Sequence, residues 1–190
     1  MTALKKTKPL TIEEFEAAFA DRKAEYLDGE VRESQATYSH SQAQAGICEV
    51  LRSLLRKHKG GTGSRWRIIT EAAVRYGTKW YFRHDVAGWR AHRLPEPPKE
   101  TPLTIRPDWA CEVLSTNTHA DLVKKRKVLE EFQVPHYWVV YPEEKTITVF
   151  QLGERGYEFL LDVEESYIGP IPPFENLPIK VSQFFDQDSD

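Results

Sequence analysis

Apolar residues recur along this chain with two periods, and the switches between them outline its elements. Residues 11–20 (TIEEFEAAFA) carry the three-and-four spacing of a short amphipathic helix, and Thr11 followed by Glu14 has the form of a capping box. Asp28-Gly29 is a type I′ turn signal within a hairpin at 24–34. Segment 39–58 is the longest expected helix, with Gln44, Ile47, Cys48, Leu51, Leu54 and Leu55 on one face and Gly60-Gly61-Thr62-Gly63 ending it. Alternation starts at 65–76. Trp66, Ile68, Thr70, Ala72, Val74 and Tyr76 are expected on one side of a strand and Arg67, Glu71 and Arg75 on the other. A turn at Gly77-Thr78 returns the chain through 79–89 (KWYFRHDVAGW), whose aromatic series Trp80, Tyr81, Phe82 and Trp89 reads as core.

The Pro-rich stretch 94–102 reads as an exposed loop. It is followed by a buried strand at 108–114, a helix at 120–132, strands at 136–141 and 146–152, and an edge strand at 157–163. Residues 166–179 contain several prolines and are expected to be irregular, and 181–186 to form a short closing helix before an acidic tail. Hairpin, buried strand, helix and strand predict an α/β (mixed α+β) fold, a mixed sheet flanked by helices, in a single domain of 190 residues.

Two charges interrupt this pattern. Glu112 lies in Trp109-Ala110-Cys111-Glu112-Val113-Leu114, where both faces of the strand are otherwise apolar, and an ionised carboxylate there needs a partner, a proton or a cation. In the helix that follows, Leu122, Lys125, Leu129 and Phe132 share one face, so Lys125 points where the leucines point. A structural buried Glu–Lys pair and an active site explain these two residues about equally well. Asp85 would join them if 79–89 pairs with 108–114. Two carboxylates and a lysine at strand ends make a hard-metal site: Mg²⁺ takes one or two carboxylates plus waters, and a lysine can stabilise charge developing on a phosphoryl group. There is no serine elbow, P-loop or GxGxxG.

Composition narrows the partners. With 26 basic against 29 acidic residues the net charge is −3, so the chain lacks the electrostatic footprint of a constitutive nucleic-acid binder, although a cleft can still concentrate positive charge. Cys48 and Cys111 have no zinc-type spacing and read as reduced core thiols of a cytoplasmic protein. The N-terminus has neither a signal peptide nor a membrane anchor pattern, and no window approaches a transmembrane span.

The strings RHDVAGWR, RPDWACEVLS, TNTHADLVKKRKVLEEF, VPHYWVVYP and TITVFQL, together with LDGEV at 27–31, His40 opening the long helix and Thr70-Glu71, resemble the Uma-two family of restriction endonucleases in the PD-(D/E)XK nuclease superfamily. The resemblance covers about residues 24–153, with 154–190 left as a C-terminal strand, Pro-rich segment and short helix. It implies a restriction endonuclease-like core in which Asp85 and Glu112 bind Mg²⁺ or Mn²⁺ and Lys125, recruited from the helix, replaces the lysine usual two residues after the Glu, where this chain has Leu114. It also implies DNA as substrate and a homodimer as one way to cut two strands. His84 stands where a proline is usual, Gln133 where a glycine is, and Tyr141 where an Asp is.

Other polar residues divide between roles. Glu71, on the polar face of its strand with Arg67 and Arg75, fits either the catalytic group or a cross-strand salt bridge. Asp108 precedes Glu112 by four residues, ~13 Å along an extended strand, and reads as a strand-entry residue. Asp121 reads as a helix cap or pair, His40 as structural, and Lys124, Arg126 and Lys127 as a solvated face that could also track a phosphate backbone. His119 and His136 lack a second ligand at metal spacing. The rival functions are a DNA-binding protein of the same fold without catalysis, and a dimeric scaffold in which Glu112–Lys125 is purely structural.

Overall fold

The computed structural model describes residues 9–19, 22–33, 35–57, 65–115 and 119–185, with the side chains of 119–121 excepted. At the start of α1 (Ile12–Phe19) the Thr11 hydroxyl accepts the Glu14 N–H at 3.2 Å and the Glu14 carboxylate accepts the Thr11 N–H at 2.7 Å, so the capping box closes. Asp28 and Gly29 have φ of 52° and 95°, the positive values a type I′ turn requires, and connect β1 (Ala24–Leu27) to β2 (Glu30–Glu33). Then follow α2 (Tyr38–Lys57), β3 (Trp66–Tyr76), β4 (Trp80–Arg90), β5 (Trp109–Val113) and α3 (His119–Glu131). The chain continues through β6 (His136–Tyr141), β7 (Thr146–Gly153), β8 (Gly156–Glu164), β9 (Ile168–Ile171), β10 (Phe174–Lys180) and α4 (Ser182–Phe185). The glycine run after α2 and the acidic tail lie outside the described residues.

Eight strands form one sheet in the order β2-β1-β4-β5-β6-β7-β8, with β3 also paired to β4. Among the described residues β5 and β6 are the one parallel pair of strands; α3 connects them, as a parallel crossover requires. One face of the sheet packs on α2, α4 and the β9–β10 pair through Ile47, Leu51, Val86, Trp109, Cys111 and Phe184. The other packs on α3 through Phe82, Ala87, Trp89, Ala110, Val128 and Leu129. Where α4 meets α2, a Cβ on Gly46 would stand 2.5 Å from the Phe184 carbonyl oxygen, so only glycine allows this approach.

Two expectations change. Residues 166–179 are not irregular, because β9 and β10 pair antiparallel and place Ile171, Phe174 and Ile179 in the core. The loop 94–102 is exposed as expected, apart from the buried Leu94 and the half-buried Pro102, and at its end Leu103 exchanges backbone hydrogen bonds with Ala73 and Arg75, covering the outer edge of β3. The alternation over β3 does not persist. Trp66 and Ile68 pack on the α2 face, but Ala72, Val74 and Tyr76 belong to the α3 face, because Glu71 takes φ of 51° and inverts the side-chain order. β4 inverts at the same level: Phe82 faces α3 and Val86 faces α2, and the ladder omits the Glu71/Asp85 position while pairing Thr70 with Val86 and Ala72 with His84.

Candidate active site

The inversion coincides with a fork in the sheet. On the edge of β4 away from β3, β1 pairs with Trp80 and Tyr81 while β5 pairs with Val86, Ala87 and Gly88. Residues 82–85 lie between the two, and side chains take over from the ladder. The Glu25 carboxylate accepts the Arg83 N–H at 2.9 Å, and Asp85 Oδ2 accepts the Val113 N–H at 2.8 Å. A cavity of about 340 Å³ opens here, lined by Glu25, Asp85, Glu112 and Lys125 among others.

Glu112, on the α3 side of β5, meets Lys125 at 2.7 Å through Oε2 and the His84 ring at 2.6 Å through Oε1. The helix face deduced from spacing is correct: Lys125 is buried beside Leu129, with its ammonium 5.4 Å from the Phe82 ring centre. Lys125 also reaches Glu25 at 2.8 Å. Burial alone would raise the Glu112 carboxyl, but the Lys125 ammonium and the hydrogen-bonded His84 outweigh it and hold the group at about 2. Glu25 goes the other way, since burial exceeds the attraction of Lys125 and pushes its carboxyl up. For Lys125 burial opposes the charge, yet the two carboxylates together raise the ammonium above the ordinary lysine value.

Because the Glu112 carboxylate has no proton to give, His84 Nδ1 is the donor, and Nε2 lies 2.8 Å from the Tyr76 hydroxyl. Burial pushes Tyr76 well above the usual phenol value, which keeps that hydroxyl protonated. Asp85 is held separately: His40 Nε2 lies 3.1 Å from Oδ1, and Lys23 Nζ lies 4.0 Å from the same oxygen. Asp85, Glu112 and Lys125 are only 6%, 5% and 8% exposed.

Glu71 does not pair with Arg67 or Arg75. Its Oε1 accepts from Lys23 at 2.8 Å and from Gln44 at 2.7 Å, and Gln44 also donates to the Asp85 carbonyl at 2.9 Å, so Glu71 stands behind Asp85. Arg67 instead donates to the Leu94 and Pro95 carbonyls, and Arg75 pairs with Glu13 and Glu16 on α1. Asp108 accepts from the Arg90 N–H at 2.8 Å and from Arg93 at 2.6 Å, tying the entry of β5 to the end of β4 as a strand-entry residue should. Lys124 lies over the Trp80 ring and Arg126 over Phe150, so these two members of the basic run rest on aromatic faces. The Asp121 and His119 side chains lie outside the described residues.

Four residues of the cluster, Lys23, Glu25, His40 and His84, escaped assignment to the site. His84 carried a signal as the departure at the usual proline, and His40 as the residue that opens the long helix within the resemblance. Asp85 and Glu112 bring carboxylate oxygens from adjacent strands to the lining of one cavity, each beside a histidine, and these are the residues that could hold a hard divalent cation. Among the described residues no three acidic, histidine or cysteine side chains converge as a cation cage, but Mg²⁺ needs only one or two carboxylates with waters.

A mostly antiparallel sheet flanked by helices, with a buried acidic strand and a helix contributing a lysine across a fork, defines a mixed α/β fold that a solved structure shares. A chain described as a putative nuclease belonging to DUF820 from Anabaena variabilis ATCC 29413 superposes with a TM-score of 0.73 at 20% identity, over 93% of this chain and 98% of that one. The family model Uma2, described as "Putative restriction endonuclease", matches residues 12–175, and this chain belongs to that family. No curated protein matches it in sequence. Among the described residues no helix is long and apolar enough to cross a membrane.

Proposed function

We propose that this protein is a Mg²⁺- or Mn²⁺-dependent endonuclease that hydrolyses phosphodiester bonds of DNA in the cytoplasm, with Asp85 and Glu112 holding the cation. Family membership supports a nuclease function. The observation that carries the assignment of residues is the contact of Glu112 with Lys125 at 2.7 Å in the cavity that Asp85 also lines. When bound, the cation supplies Lewis acidity toward the phosphodiester and lowers the pKa of the attacking water. Lys125, kept charged by its carboxylate neighbours, stabilises the negative charge that grows on the phosphoryl oxygens. His84 and His40 orient Glu112 and Asp85, and Glu71 supports Asp85 through Gln44 and Lys23 without being a ligand. A homodimer would present one such site to each strand of a duplex.

Incubating wild type and Glu112→Ala with plasmid and Mg²⁺ tests this reading. Cleavage by the wild type alone is expected; no cleavage, or equal cleavage by both, defeats it.

One observation favours a second reading, a catalytically silent protein of the same fold. Each oxygen of Asp85 and Glu112 already has a protein partner, as a purely structural Glu112–Lys125 pair would require. In that case Mg²⁺ leaves the melting temperature unmoved, whereas a cation held by the native state raises it.

A further inference from the structure

Lys125 is shared. Its ammonium lies 2.7 Å from Glu112 Oε2 and 2.8 Å from Glu25 Oε1, bridging the fork from β5 to β1. Glu25 is no loose surface acid. The oxygen that meets Lys125 also accepts the Arg83 N–H, so the carboxylate is fixed to the unpaired part of β4 and faces the same cavity as Glu112.

This arrangement bears on how a cation could reach Glu112. An ammonium in contact with Glu112 competes with any second cation for the same carboxylate, and the repulsion is strong where water is scarce. With no alternative position, Lys125 would either exclude the metal or have to move into solvent. We infer that Glu25 is a positioning residue for the proposed reaction, a second seat that retains the Lys125 ammonium inside the cavity while a divalent cation occupies Glu112. The inference rests on the metal-site reading above. It gives Glu25 a role exerted through Lys125, distinct from ligation and from a general negative field.

Calorimetric titration of Mn²⁺ into the full chain tests it through a double-mutant cycle. Lys125→Met removes the competitor and tightens Mn²⁺ binding about tenfold, within the range usual for coupled sites. Glu25→Gln, nearly the same shape, leaves Lys125 on Glu112 alone and weakens binding by a similar factor, about tenfold. In the Lys125→Met background, Glu25→Gln changes the affinity by less than about twofold, because its effect passes through a group no longer present.

Equal weakening by Glu25→Gln in both backgrounds overturns the inference in favour of a general field effect or direct ligation. Unchanged or weaker binding by Lys125→Met overturns it as well, and thermal melts identify any variant that has lost its fold. If Lys125→Met does not fold, weakening by Glu25→Gln together with a fall in cleavage supports the inference, and unchanged Mn²⁺ affinity overturns it. The readout is metal occupancy, so wild type that binds Mn²⁺ without cutting plasmid defeats the nuclease reading alone. A complete lack of Mn²⁺ binding by wild type and Lys125→Met defeats both.

Discussion

His84 Nδ1 lies 2.6 Å from Glu112 Oε1, joining neighbouring strands through a side chain that stands where the resembling motif has proline. A proline there could not reach Glu112, so this chain orients its buried acid with an imidazole, itself held by Tyr76 at 2.8 Å. Replacing His84 with alanine leaves a carboxylate oxygen and a hydroxyl buried without partners. The expected loss is about 2–4 kcal/mol of stability, measured by urea unfolding. A loss below 1 kcal/mol, roughly that of an exposed contact, would show that the link is not part of the folded core.

The position of Glu112 near 2 makes a pH-dependent prediction. Its folded-state value lies below the ordinary 4.5, so its contribution to stability is complete above about 4.5 and disappears as pH falls through about 2. Melts of wild type and Glu112→Gln should therefore differ most at pH 5 and above and converge toward pH 2. A gap that stays constant over that range would assign the effect to shape or packing.

Asp85→Asn preserves the acceptor for the Val113 N–H through its amide oxygen but removes the charge. Cleavage should fall at least about 100-fold, the scale of losing one charge-stabilising group in an active site, while the fold, followed by circular dichroism, is unchanged. Retained cleavage would remove Asp85 from the catalytic group.

Gln133 has φ of 58°, which explains why glycine is usual at this position after α3. Since the left-handed region costs a non-glycine residue about 1–2 kcal/mol and the side chain makes only an exposed bond to the Glu130 carbonyl, Gln133→Gly should raise stability by about 1 kcal/mol. A lower melting temperature would indicate that the Glu130 contact outweighs the backbone strain.

Gly46→Ala should separate α4 from α2, because the added methyl meets backbone and no flexible side chain. Overpacking of this kind costs about 1–3 kcal/mol. An unchanged melt would mean that α4 can shift without affecting the core.

Much of this was legible in the chain. The capping box, the Asp28-Gly29 turn, the long helix and the buried strand depend on local spacing and turn chemistry, and each forms close to where it was expected. Lys125 was legible for the same reason, since helical spacing alone places it among leucines. The alternation over β3 failed because one residue with positive φ, Glu71, inverts the faces, and a glutamate does not announce that conformation. The β9–β10 pair was hidden by prolines at 170, 172, 173 and 178, which its irregular two-strand ladder accommodates.

The sequence by itself determined that Glu112 and Lys125 carry charge inward, as anomalies of local pattern visible without any fold, while Asp85 entered through the expected strand pairing and the family motif. Only the tertiary structure decided who meets them. Glu25, Lys23, His40 and His84 come from strands, a turn and a helix up to 102 positions from Lys125 and reach the acids or Lys125 only because β4 shares one edge between β1 and β5. A break between two pairing partners leaves backbone N–H groups that carboxylates must satisfy, and that requirement, absent from any local window, gathers the polar residues at one point.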